Sequence, residues 1–268
     1  MTKITSPALL NKASKPITQL HTTGHTPGKK KTHQIRVCIK RLLARLHLLE
    51  KVTATDPNIS NLSQSLKQLS CHLAKTRDRD VMVALLEQLT TKANTTSINN
   101  LLKQTRRRLL GAEQQPITKL KVLQNLATGI HTDLHLIPHS GISLGQIQHY
   151  LQKRWQRICD QYKAILREQY PQKMHKLRRK IKWLCYQYEL LDELEPSSWL
   201  PTKKLAKLGT KLGKVHDFFV LESYLCHQQQ LSAKNIQNYD SVYNLLSNKR
   251  KHLLEQCRKA FKHACRSH

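Results

Sequence analysis

Glycine and proline are scarce, at 8 and 9 residues in a chain of 268, roughly half the usual ~12%. So few breakers exclude a many-turned β fold and favour long helices. Aromatic residues make up 5%, so the core must be built from Leu and Ile rather than from rings. Acidic residues are missing altogether before Glu50. No run approaches the ~18 apolar residues of a membrane span, which leaves attachment to a membrane surface open. Residues 1–28 lack the apolar segment of a secretory signal; they are acid-poor like a transit peptide but contain no Arg. None of the seven cysteines (Cys38, Cys71, Cys159, Cys185, Cys226, Cys257 and Cys265) has a C-x-x-C partner, and their number is odd. Neither a zinc site nor a disulfide framework is expected from that pattern, and reduced thiols in a cytosol are.

What the chain has in excess is positive charge. Lys and Arg total 46 against 17 Asp and Glu, a formal net charge of +29 with His neutral. Charge this far from zero repels itself unless something anionic neutralises it. Nucleic acid, an anionic membrane and a soluble polyanion are the candidate partners.

Residues 1–28, rich in Thr, Ser, Pro and Gly, read as a loose arm. After it the apolar spacing predicts helices over roughly 29–53, 60–76, 79–93, 97–112, 117–137, 143–169, 172–194, 200–214, 217–230 and 235–265, and no segment alternates like a half-buried strand. The sequence also repeats. At a shift of 142 residues, KTHQIRVCIKRLLARLHLLEK (31–51) reappears as KMHKLRRKIKWLCYQYELLDE: His33 falls on His175, Arg36 on Arg178 and Lys40 on Lys182. At a shift of 139, LKQLSCHLAKTRDRDV falls on LAKLGTKLGKVHDFFV, and at 144, LLKQTRRRLL falls on LLSNKRKHLL. Three matches in one order predict two similar halves, about 29–137 and about 142–265.

Wound at ~100° per residue, residues 29–51 separate into two stripes. Ile35, Ile39, Leu42, Leu46 and Leu49 form an apolar face, which is core. Lys29, His33, Arg36, Lys40 and His47 form a second, basic stripe. Like charges four residues apart cost ~0.2–0.5 kcal/mol per pair, and an ordinary solvated face mixes signs to avoid that cost. The spacing H-x-x-R-x-x-x-K occurs twice with no acid inside it, so an anion-binding row is the better reading. Arg41 and Arg179, beside the motif residues, and Arg106, Arg107 and Arg250 of the third repeat belong to the same candidate set, with Lys153 and Arg157 adding charge farther along the chain. A metal role for the motif histidines is not expected, because no second ligand lies one turn away. Asp78 and Asp217, each between an apolar helix and the next apolar run, read as N-caps.

HQIRVCIKRL with LAKTRDRDV, then HKLRRKIKWL with LGKVHDFFV, resembles the CHAD family, the conserved-histidine α-helical domain, over roughly residues 29–265. The resemblance implies an all-α fold of two helical bundles related by a pseudo-twofold axis, with a basic central cavity between them. It implies binding of inorganic polyphosphate without hydrolysis, with His33, Arg36, Lys40, His175, Arg178 and Lys182 lining the cavity. The chain departs from a symmetric pattern: Ala74 matches Gly213, Trp183 matches Arg41 and Glu189 matches His47. The E-x-E-x-K mark of the triphosphatase domain often fused to this family is absent, as is a Walker A loop. The expectation is therefore a non-enzymatic, cofactor-free cytoplasmic binder of inorganic polyphosphate, associated with polyphosphate granules. Nucleic acid is the alternative partner, although single-strand binders place aromatics among their basic residues and Phe, Trp and Tyr are few here.

Overall fold

The computed structural model describes residues 3–21, 27–53, 56–73, 75–91, 96–111, 120–137, 141–194, 202–231 and 236–265. Over them the fold is all-α apart from one short antiparallel pair, β1 (Lys3–Thr5) with β2 (Gly141–Ser143), in register Lys3 to Ser143 and Ile4 to Ile142. The helices are α1 (Ser6–His21), α2 (Lys29–Val52), α3 (Pro57–His72), α4 (Lys75–Thr90), α5 (Thr96–Gly111), α6 (Leu120–His135), α7 (Leu144–Glu168), α8 (Pro171–Leu194), α9 (Thr202–Leu231) and α10 (Ile236–Cys265). No helix among the described residues is long and apolar enough to cross a membrane.

Two compact units make up the chain. Unit 1 comprises Met1–Lys75, Pro116–Asp160 and Lys180–Leu205; unit 2 comprises Thr76–Gln115, Gln161–Arg179 and Ala206–His268. Each unit draws on both sequence halves, and α7 and α8 contribute to both.

In unit 1 the apolar stripe of α2 is core: Ile35, Ile39, Leu42 and Leu46 are fully buried and Leu49 nearly so. On α8 the matching residues Ile181, Leu184, Tyr188 and Leu191 of this unit are buried as well, as is Leu177, which belongs to unit 2. The N-terminal segment departs from the loose arm expected of it. Leu10, Ile17 and Leu20 lie on one side of α1 and are fully buried, where α1 packs on α2 and α6. Each such Leu or Ile contributes about 1.5–3 kcal/mol of transfer free energy, enough to hold a segment whose Thr and Pro content suggested a loop. The start of α3 is set by Asp56, whose carboxylate accepts from Asn58 N at 2.8 Å, with Pro57 at the first helical position, where its missing N–H costs nothing.

In unit 2, α4 and α5 contribute Leu86, Leu89, Leu101, Leu102 and Leu109 to one apolar cluster, and α9 and α10 contribute Phe218, Leu221, Leu225, Val242 and Leu246. The expected break between 214 and 217 does not exist. Leu205, Leu208, Leu212, Val215, Phe218, Leu221 and Leu225 are all buried at three- and four-residue spacing, so one apolar stripe carries α9 through. Asp217 therefore lies inside a helix and not at the helix start expected of it. Position 78 falls in the first turn of α4 rather than at a cap, and its side chain lies outside the described residues. Between α7 and α8 the chain turns at Gln169, whose φ of 55° is the left-handed conformation of a helix C-terminus. Five cysteines are free, Cys38, Cys71, Cys185, Cys226 and Cys257. Cys159 and Cys265 are not among the free thiols, against the expectation that every thiol is reduced.

Candidate functional site

In unit 1 the basic row on α2 begins at a helix start that has no acid in its first turn and no side-chain cap on Gly28. A cleft of about 690 Å³ opens there between α1 and α2. Lys30, Lys31, His33 and Arg41 line it from α2, and Pro16 and Gln19 from α1. Lys30 and His33 are exposed, and Lys31 and Lys40 half-buried. Arg36 is buried, and its Nη1 donates to the Leu73 carbonyl at 2.6 Å. Leu73 closes α3, so Arg36 places a cation at the negative end of that helix, where charge and dipole favour it. One donor of this motif arginine thus serves the fold.

Farther along α2, two arginines one turn apart meet two glutamates one turn apart on α8. Arg41 Nε lies 2.9 Å from Glu189 Oε2, and Arg45 Nη2 lies 2.9 Å from Glu193 Oε1. Arg41 also sits 5.8 Å from the Tyr186 ring centroid. The Arg45 side chain is 2% exposed, and its partner Glu193 is what makes burial of that charge tolerable. Sequence reasoning missed Arg45; the matched i, i+4 spacing of Arg41–Arg45 and Glu189–Glu193 was the signal available.

His47, placed in the basic row by its spacing, lies among neighbours that disfavour its charged form. It is half-buried, with Trp183 edge-on at 5.0 Å between ring centroids and Arg154 Nη1 at 3.5 Å from its Nδ1. Burial first, then the charges of Arg154 and Lys51, push its pKa down to about 4. A neutral ring can accept from Arg154, which also donates to Gln187 Oε1 at 3.2 Å. Gln187, fully buried, donates in turn to the Ala44 carbonyl at 2.7 Å. This network, also unforeseen from sequence, ties α2, α7 and α8 together inside unit 1. Lys153 and Arg157 are exposed on α7, and Lys182 is half-buried on α8. Burial pushes the thiols of Cys38 and Cys185 up to about 12, so neither is a nucleophile at neutral pH.

Unit 2 holds the remaining candidates. The Arg178 guanidinium lies over α9 at Gly213: a Cβ placed there would sit 3.6 Å from its Nε. His175 stacks at a tilt on His216, centroids 4.6 Å apart. Burial, with Arg178 and Arg179 nearby, lowers its pKa. Arg179 and Arg107 are exposed. Arg106 and Arg250 are each engaged by a carboxylate, Arg106 by Glu87 at 2.5 Å and Arg250 by Glu222. Arg250 also sits 4.7 Å from the Phe219 ring centroid. The third repeat therefore spends part of its charge within the protein. Among the described residues, no group of three or more His, Cys, Asp or Glu side chains is placed to hold a metal ion.

What the two units offer chemically is cationic surface at helical spacing: Lys and Arg head groups within reach of water, neutral histidines beside them, and carboxylates already bound to arginine. A comparison with curated proteins finds no match. The crystal structure of the CHAD domain from the plant Ricinus communis superimposes with a TM-score of 0.64 at 19% identity, over 96% of this chain and 90% of that one. That likeness bears on the fold. The family model of the CHAD domain matches residues 19–226, most of the chain, and the chain belongs to the CHAD domain family.

Proposed function

We propose that this chain binds inorganic polyphosphate through its basic helix rows and does not hydrolyse it. The observation that carries the reading is the spacing H-x-x-R-x-x-x-K on both α2 and α8, without an acid inside either, in a chain of net charge +29. A phosphate chain offers a charge at every unit and no base to stack on, which suits a protein with few aromatics. Charge-assisted contacts to phosphate are worth roughly twice a neutral hydrogen bond, and they offset the repulsion within each row. Arg can fork onto two oxygens while Lys acts as a point charge. Membership in the CHAD family supports the same ligand class. Hydrolysis would draw on carboxylates that hold Mg²⁺, and Glu87, Glu189, Glu193 and Glu222 are each paired with an arginine. The reading is of a cytoplasmic binder, and association with polyphosphate granules follows from it.

The test is a titration with polyphosphates of graded length, with released phosphate measured in the same tubes and duplex DNA as competitor at equal phosphate concentration. Tight, length-dependent binding without phosphate release is expected, with DNA the weaker ligand. Preference for DNA moves the assignment to nucleic acid, and phosphate release that tracks the folded protein makes it an enzyme.

A further inference from the structure

The stretch matched by the family model starts at residue 19, so most of α1 precedes it. Yet α1 is fixed, because Leu10, Ile17 and Leu20 are fully buried beneath it. On another side of the same helix, Pro16 and Gln19 face Lys30, Lys31, His33 and Arg41 across the cleft of about 690 Å³. None of the six carries a negative charge. The α2 wall supplies cations, with Arg41 partly offset by Glu189. The α1 wall is uncharged and supplies shape.

We infer that phosphate units of the bound chain enter this cleft, and that α1, through Gln19, sets what fits there. The inference rests on the polyphosphate reading above and assigns α1 a positioning role within it. A bare phosphate chain is slender enough to lie along the first turns of α2 with α1 in place.

Gln19 is exposed, so it can be changed without touching the core. Gln19→Glu places a carboxylate in the cleft, and Gln19→Trp narrows it without altering charge. Asn61→Asp, exposed on α3, lowers the net charge by the same amount away from the cleft. Polyphosphate dissociation constants are measured for all three at fixed salt, with unfolding curves confirming that each is folded. Gln19→Glu is expected to weaken binding about five-fold or more, the factor for two like charges ~4 Å apart in water. Gln19→Trp is expected to weaken it comparably, and Asn61→Asp by less than about two-fold. Unchanged affinity in Gln19→Trp overturns the inference, because the cleft is then unoccupied. Equal losses in Gln19→Glu and Asn61→Asp overturn it too, because diffuse charge then accounts for both. A parent protein that fails to bind polyphosphate removes the functional reading along with it. Binding that is lost in Arg178→Gln but untouched in both Gln19 variants removes the cleft alone.

Discussion

His47 gives a prediction about stability that does not depend on any ligand. Its pKa of about 4 in the folded protein lies well below the ordinary 6.5, because burial and the charges of Arg154 and Lys51 disfavour the imidazolium. Above pH ~7 the ring is neutral in both folded and unfolded chains and adds no pH dependence. As pH falls through 6.5 the unfolded chain takes up the proton first, so stability is lost progressively until about pH 4, where the folded protein protonates as well. Between pH 7 and 5 the full shift corresponds to roughly 2 kcal/mol. The ring is only half-buried, so solvent screening reduces the expected figure to about 1 kcal/mol. Urea unfolding at the two pH values, followed by tryptophan fluorescence because Trp183 packs on the ring, measures it. The His47→Gln variant should lose about 1 kcal/mol less than the parent on going from pH 7 to 5, other histidines cancelling in the comparison. Identical pH dependence in parent and variant, or a His47 resonance titrating near 6.5, would refute the reasoning.

Three further outcomes are expected. Arg36→Gln removes the buried donor to the Leu73 carbonyl and should cost about 1.5–3 kcal/mol in urea unfolding, whereas Arg179→Gln, on an exposed side chain, should stay within about 0.5 kcal/mol; equal stabilities would show that Arg36 does not hold the end of α3. Gly213→Ala, inside α9, should raise stability by about 0.5–1 kcal/mol in thermal unfolding, since the added methyl meets Arg178 at ordinary contact distance, and a loss would mean that the guanidinium cannot accommodate it. Polyphosphate affinity should fall about 10³–10⁵-fold between ~50 and ~200 mM salt if 6–10 phosphates are contacted, by analogy with DNA; a flat salt response would remove Lys and Arg from the interaction.

The helices were legible because Leu and Ile recur at three and four residues with few breakers between them, and the stripes of α2 and α8 are buried as that spacing requires. Two segments were misread for opposite reasons. In α1, Thr, Ser and Pro masked the spacing of Leu10, Ile17 and Leu20, which was a helical face all along. In α9, alignment with the α3–α4 junction suggested a break that the continuous stripe from Leu205 to Leu225 rules out. The site was legible as charge but not as commitment. Spacing identifies which cations share a helix face; it does not tell that Arg36 is bonded to a carbonyl, that Arg250 is held by Glu222, or that His47 is neutral beside Arg154. Those outcomes depend on partners far away in sequence, which periodicity does not see.

The paired arginines and glutamates of unit 1 also bear on how the chain is made. Arg41 and Arg45 precede Glu189 and Glu193 by 148 residues. At ~5–20 residues per second a ribosome takes about 7–30 s to cover that distance. Throughout that interval α2 exists without the carboxylate that lets Arg45 go under cover, and Gln187, which spans from Arg154 to the Ala44 carbonyl, has not been synthesised. Until the segment Lys180–Leu205 arrives, unit 1 lacks those partners. A strongly cationic nascent chain is itself a ligand for polyanions, and in a cell its first polyanionic neighbour is ribosomal RNA.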